Sequence, residues 1–423
     1  MEAGAPAAAA REDWAERTWD TIMTLAEFVE PGTPGWTRRV FSAAYQESRR
    51  HTRLLMKGAG LTVVDDAAGN LIGTIPGSDP RLPALVVGSH TDTVLGGGRF
   101  DGMLGVAAAI EVGRRLVATG PTLRHPLRVV DFTGEEPNAF GISCLGSRAV
   151  TGHLTPSHLA LRDISGNSLG EALKSLGARP AELGGAVWAP GSVHAYLELH
   201  IEQASRLERA CRPLGVVTAI AGISRAAITL TGRADHAGTT PMGERQDALQ
   251  AAAEVITGID ALGRAGRDGD GVATAGRITV EPNSPNVVPS AAVLVAEMRS
   301  TEADWLRERS SELTRLVDRV ASRRSVRANV EWISQEPPVP THPALRRALA
   351  EAVADVGAGP LEVPSWASHD AAHIARLAPM GMLFIPSREG RSHCPEEWSD
   401  RPQVALGARS LLAAVRRADD QDF

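Results

Sequence analysis

The residues with the clearest chemical potential begin at His90 and Asp92, in Gly88-Ser-His-Thr-Asp-Thr-Val94, and continue to Asp101, in Gly96-Gly-Gly-Arg-Phe-Asp-Gly102. An apolar run, Ala84-Leu-Val-Val-Gly88, leads into them. A hydrophobic strand that ends in His-x-Asp and enters a glycine-rich loop with another Asp has the makings of half a metal site. Imidazole and carboxylate suit zinc, manganese and related divalent ions. Asp92 is expected behind the metal, accepting the second ring N–H of His90 and fixing its tautomer. Taken alone, the stretch reads equally well as a polar turn.

Three more clusters join it. Glu135-Glu136 follows the strand-like Leu127-Arg-Val-Val-Asp-Phe-Thr133. At such a turn one carboxylate can bind metal while its neighbour holds a proton, which supplies the ligand and the general base of a metal hydrolase. His200 lies on Ala195-Tyr-Leu-Glu-Leu-His-Ile201, between the acidic neighbours Glu198 and Glu202. His393, in Arg391-Ser-His-Cys394, follows the strand Met382-Leu-Phe-Ile385. Three histidines and three acids match a two-metal site with one shared carboxylate.

The elements that must position these residues form an α/β pattern. Residues 12–58 carry helical periodicity broken at Pro31-Gly-Thr-Pro34. Short strands follow near Leu61–Val64 and Leu71–Ile75, then the strand ending at His90. Leu104–Thr119 reads as a helix with Gly120-Pro121 as its stop. Alternating strands and helices, with polar residues at strand C-terminal ends, predict an α/β mixed sheet with its site at the carboxyl edge. After about residue 213 the composition turns rich in Val, Ile and Thr. Helices are predicted there at about 246–264 and 302–323, between strands. The pattern resumes with a helix at 343–355 and a strand at 380–386. This predicts a catalytic domain of residues 1–213 and 336–423, interrupted by a smaller α+β insertion at 214–335.

Composition narrows the function classes. With 423 residues, 43% hydrophobic and 22% charged, the chain is expected to be globular and to form more than one core. Its net charge of −6, without a long basic run, argues against nucleic acid as a partner. Met1–Ala10 is Ala-rich but lacks a basic start and a long apolar stretch, and reads as a frayed leader rather than a signal peptide. No run approaches the length of a membrane span. Three scattered cysteines (Cys144, Cys211, Cys394) argue against a disulfide framework and for a reducing, cytoplasmic setting.

Across nearly its whole length the chain resembles the co-catalytic metallohydrolases that include aminoacylases and carboxypeptidase-like enzymes. It is most similar to their branch of N-carbamoyl-L-amino-acid hydrolases, allantoate amidohydrolases and β-ureidopropionases. The matching stretches are Gly88–Val94, Gly97–Gly105, Gly134–Pro137, Gly146–Gly152, Glu198–Gln203, Gly232–Met242 and Ser392–Glu397. Glu198-Leu-His-Ile-Glu-Gln203 and His236-Ala-Gly-Thr-Thr-Pro-Met242 point to this branch in particular. The resemblance implies two divalent ions per subunit, zinc or manganese, with cobalt and nickel as alternatives. His90, Asp101 and His200 would hold one ion, Asp101, Glu136 and His393 the other, with Asp101 bridging. Glu135 would be the general base that takes the water proton and passes it to the leaving nitrogen. His236 would stabilise the oxyanion, a contribution often worth about 3 kcal/mol. Gln203, Asn286, Arg299 and Ser368 would fall at substrate-binding positions, Arg299 offering a planar fork for a carboxylate. The insertion would act as lid and dimerisation domain of a homodimer.

The chain departs from this pattern where specificity is set. Ala204-Ser205 follow Gln203 in place of the usual Gly-Pro. Ser365-Trp-Ala-Ser-His-Asp370 replaces a glycine-rich approach to the substrate carboxylate, and Cβ atoms at Ala367 and Ser368 restrict the backbone there. Cys394 stands where Ser is commoner. The expected reaction is metal-dependent hydrolysis of a linear C–N bond in a small carboxylated N-carbamoyl or ureido compound. An N-acyl amino acid deacylase or dipeptidase using the same metals is the alternative. A non-catalytic scaffold on this fold would lack the base or a ligand, and this chain has all six residues.

Overall fold

The computed structural model describes residues 17–120, 123–265, 269 and 271–423. The leader reading of Met1–Ala10, the first residues of the 12–58 helical stretch, and Pro121 of the helix stop lie outside these. The chain divides into two compact units: 1–218, 341–363 and 369–423 form the larger, 219–340 and 364–368 the smaller. The sequence boundaries at 213/214 and 335/336 fall about five residues earlier. Gly215 and Val216 pair with Phe384 and Leu383, which ties the start of the Val-rich stretch to the larger unit. None of the described helices is long and apolar enough to cross a membrane.

The larger unit is built on a mixed sheet. Its strands are β1 (Thr62–Asp65), β2 (Leu71–Ile75), β3 (Ala84–His90), β4 (Leu127–Phe132), β5 (Val193–Ile201) and β6 (Gly215–Ile220). After the insertion come β14 (Leu361–Ser365) and β15 (Met380–Ile385). The order is β1-β2-β4-β3-β5-β15-β6, with β14 also paired to β6. β4, β3, β5 and β15 are mutually parallel, while β1 runs antiparallel to β2, β2 to β4 and β6 to β15. All seven residues of β3 are buried, as expected of a central parallel strand covered on both faces. Leu85, Val87, Leu197 and Leu199 alternate onto one face, where helices Met103–Thr119, Pro343–Asp355 and Arg401–Asp419 bury Leu104, Leu349, Leu411 and Val415 against them. Each such side chain contributes about 1.5–3 kcal/mol on burial. Because strand residues alternate, Tyr196, Glu198 and His200 face the opposite side. The four parallel strands end at one edge, and His90, Glu135-Glu136, His200 and His393 all follow from or lie at those ends. This is the edge where open α/β sheets bind ligands.

The smaller unit carries β7 (Gly222–Thr231), β8 (Asp235–His236), β9 (Val272–Glu281), β10 (Val287–Val288), β11 (Ala291–Ser300), β12 (Arg327–Glu336) and β13 (Val339–Pro340). Four of them form an antiparallel sheet in the order β12-β7-β11-β9. Burial alternates strictly along β7 and β11. Their inward residues Ile228, Leu230 and Leu294 pack on Val255 and Ile259 of helix Ala248–Arg264, and on Leu313 and Val317 of helix Ala303–Arg324. The four sheet strands and two helices follow one another as strand–helix–strand–strand–helix–strand.

Candidate metal centre

His90 closes β3, and its ring Nδ1 lies 3.1 Å from the main-chain oxygen of Asp92. His200 Nδ1 lies 3.0 Å from the carbonyl of Ile201. With Nδ1–H donating in both rings, Nε2 is left as the lone-pair nitrogen. His200 Nε2 stands 3.2 Å from Asp101 Oδ1, and His90 Nε2 stands 3.8 Å from the same oxygen. The other oxygen of Asp101, Oδ2, is 3.0 Å from His393 Nε2, which is itself 3.4 Å from Glu136 Oε1. Asp101 therefore presents one oxygen to each of two triads. Donor atoms of His90, Asp101 and His200 lie within 4.8 Å of one another, as do those of Asp101, Glu136 and His393. Glu135 Oε2 faces His90 Nε2 at 3.8 Å.

A ring of supporting contacts holds these groups. Asp92 Oδ1 and Oδ2 accept the main-chain N–H groups of Glu135 and Glu136, each at 3.1 Å. The sequence assigns the Asp92 carboxylate to the His90 ring, where Oδ1 lies 3.5 Å from Nδ1, but its closer partners are these two N–H groups. It locks the acidic turn as well as backing the histidine. Glu397 accepts from the N–H groups of Phe100 and Asp101 and from Ser392 Oγ, tying the glycine loop to the His393 loop. Gln203 Nε2 donates to Asp101 Oδ2 at 2.8 Å. Gly102 adopts φ +69, and a Cβ there would sit 2.4 Å from the His90 ring. Gly102→Ala is thus expected to displace His90 and to cost about 1–3 kcal/mol of backbone strain. A lowered unfolding midpoint together with weakened metal retention would be the readout.

The remaining predicted residues belong to the smaller unit. His236 and Val287 are register partners in the β8–β10 ladder, and the Ala237 N–H donates to the Asn286 carbonyl at 3.0 Å, so His236 and Asn286 are neighbours. His236 Nδ1 accepts the N–H groups of Gly238 and Thr239, which leaves Nε2–H as an outward donor on an exposed ring. Arg299, on β11, donates through Nε to Glu297 at 2.7 Å and through Nη1 to the Trp366 carbonyl at 2.7 Å. Ser368 is half-buried just beyond.

The model for peptidase family M20/M25/M40 matches residues 86–417. The chain belongs to peptidase family M20/M25/M40. Within the family it is 40% identical over 400 residues to an N-carbamoyl-L-amino acid amidohydrolase of Geobacillus stearothermophilus, covering 95% of this chain and 97% of that one. It is 34% identical to a ureidoglycolate hydrolase of Arabidopsis thaliana, covering 94% and 85%. The crystal structure of AtUAH in complex with (S)-hydroxyglycine superposes with a TM-score of 0.85 at 33% identity, covering 96% of this chain and 98% of that one.

The electrostatics of this cluster favour cations. Burial pushes Glu136 well above the usual carboxylate range, reinforced by the charges of Asp101 and Glu135. Burial likewise raises Glu135 to about 7, with His90 opposing and Asp92 and Asp101 adding. Asp101 is held well below its ordinary value, because contacts from His200 and His393 outweigh its burial. Like-charged carboxylates packed this closely cannot all ionise without a counter-charge. The imidazole and carboxylate donor set therefore fits divalent metal on its chemistry as well as its placement.

Several supporting residues escape a sequence reading. Glu198, which shares a strand face with His200, accepts from Ser89 Oγ at 2.7 Å and Tyr196 OH at 2.9 Å. His369 packs edge-on to the His200 ring with centroids 4.5 Å apart. Glu198, His200 and His369 also bring donor atoms within 4.8 Å, but both Glu198 oxygens are already engaged. The i, i+2 spacing of Glu198 and His200 is a visible signal; the contact of His369 across the chain is not.

Proposed function

We propose that this protein hydrolyses the linear C–N bond of a small carboxylated N-carbamoyl or ureido compound, using two divalent ions per subunit, zinc or manganese. The single observation that carries the reading is Asp101, whose two oxygens serve two triads while Glu135 stands beside them. Full-length similarity to carbamoyl and ureidoglycolate hydrolases supports the substrate class. Bound ions would polarise the scissile carbonyl and make water more acidic.

The chain's own groups do the rest. Glu135 takes the proton of the attacking water and delivers it to the leaving nitrogen. His236, held as the Nε2–H tautomer, donates to the carbonyl oxygen as negative charge develops there. Gln203 Oε1, buried and without a hydrogen-bond partner, suits a carbamoyl N–H. Arg299 receives the substrate carboxylate, with Asn286 and Ser368 at neighbouring substrate-binding positions. Glu297 and the Trp366 carbonyl occupy Nε and Nη1 and fix the plane of the fork. A carbamoyl substrate yields an amine, ammonia and carbon dioxide. The cytoplasm and a homodimer complete the reading, supported by three free cysteines and by the family likeness.

A panel of N-carbamoyl amino acids, allantoate, ureidopropionate and N-acyl amino acids tests this reading on metal-reconstituted protein. Ammonia release from the carbamoyl and ureido members is expected. Amino acid release from the N-acyl members alone would overturn it in favour of a deacylase. Arg299→Lys is expected to raise KM about tenfold or more, with a smaller change in kcat, because a point charge replaces a fork. Steady-state kinetics on the best substrate would measure the split.

A further inference from the structure

The acidic turn is held from a second side by the segment around Cys144. The N–H groups of Cys144, Leu145 and Gly146 donate to the carbonyls of Glu135, Gly134 and Thr133 at 2.8, 2.9 and 2.8 Å. Cys144 itself adopts φ 55 and ψ 43, is 1% exposed, and directs its Sγ to Glu135 Oε1 at 3.4 Å. The opposite oxygen, Oε2, is the one that faces His90. The two oxygens of Glu135 are thus in different surroundings: one on a thiol, one toward the metal ligands. Burial and the Glu135 charge push the thiol well above its ordinary value, so at neutral pH it carries its proton and acts as a donor.

We propose that Cys144 is a positioning residue for the general base: its S–H anchors Oε1 of Glu135, leaving Oε2 to take the water proton and return it to the leaving nitrogen. The inference rests on Glu135 being the base. A carboxylate free to rotate would present either oxygen, and a proton taken on the wrong one would lie away from the substrate. Anchoring one oxygen removes that freedom without adding a charge. A serine or another strong donor would do the same, whereas alanine would not.

Two readouts separate this proposal from the functional reading beneath it. The first is the infrared S–H stretch of Cys144 in a Cys211→Ser, Cys394→Ser background, recorded on metal-loaded protein without substrate. Replacing Glu135 with Gln should shift that band to higher wavenumber, because a neutral acceptor replaces a charged one; an unmoved band would overturn the proposal. The second is kinetic. Cys144→Ala should lower kcat about tenfold with KM and metal content unchanged, and Cys144→Ser should restore most of it. Wild-type kcat in Cys144→Ala, or equal losses in both variants with altered KM, would also overturn it. If the wild-type protein turned over none of the panel while the band still shifted, the contact would stand and the functional reading would fall.

Discussion

Glu135→Gln is expected to reduce kcat by about a thousandfold while leaving both metal ions bound and KM within a fewfold of wild type. The amide keeps the shape and the main-chain contacts to Asp92 and Cys144, which do not depend on the side-chain charge. It cannot accept a proton from water. An effect confined to kcat is the mark of an interaction made in the transition state. The pH profile should change as well. In the metal-free protein Glu135 is raised to about 7, chiefly by burial. Cations beside it draw it lower, since an opposite charge favours the ionised form. The base works only when deprotonated, so kcat/KM should fall as pH drops through its value in the loaded enzyme. That acid limb should lie below pH 7 and vanish in Glu135→Gln. A variant with wild-type kcat, or with its metal lost, would remove Glu135 from the role of base.

Asp101→Asn should have the second large effect, and through a different route. Asp101 is the one residue common to both triads, with Oδ1 toward His90 and His200 and Oδ2 toward His393. Asparagine retains one acceptor and turns an N–H₂ toward the other set. That N–H₂ would also oppose Gln203 Nε2, which donates to Oδ2 in the native protein. Metal affinity should fall about a hundredfold or more at one position, since even supporting residues behind a ligand are worth 10–100-fold. The expected stoichiometry is near one ion per chain, with activity lost in proportion. Thermal unfolding should follow, because a ligand that binds only the folded state stabilises it by about 2.7 kcal/mol at a hundred times Kd. The midpoint should respond to added metal less than in wild type. Elemental analysis beside calorimetry would decide it.

Much of the site is visible in the sequence because parallel strands send their C-terminal ends to one edge. Once Ala84–Gly88, Leu127–Thr133, Ala195–Ile201 and Met382–Ile385 are read as strands, the polar residues that follow each must gather there. The insertion is legible from composition, in the turn to Val, Ile and Thr after about residue 213. What the sequence conceals is the allocation of partners. Nothing local to Asp92 says that its carboxylate clamps two N–H groups some forty positions on. Glu397 reaching back to Phe100 and Asp101 spans almost three hundred positions. The boundary at Gly215 is concealed too, because a Val-rich strand reads alike whether it pairs with β15 or with the inserted sheet. Such allocations depend on tertiary contacts between distant segments, which periodicity does not encode.

The most direct measurement of the central claim is the ratio of ammonia to free amino acid released from an N-carbamoyl-L-amino acid. It should be made on the protein reconstituted with metal, beside metal-stripped protein and metal-loaded Glu135→Gln. One ammonia per amino acid from the loaded wild type, with neither product from the other two beyond background, is the predicted result. Release that persists without metal, or that is unaffected by Glu135→Gln, would contradict a metal-dependent amidohydrolase with Glu135 as its base.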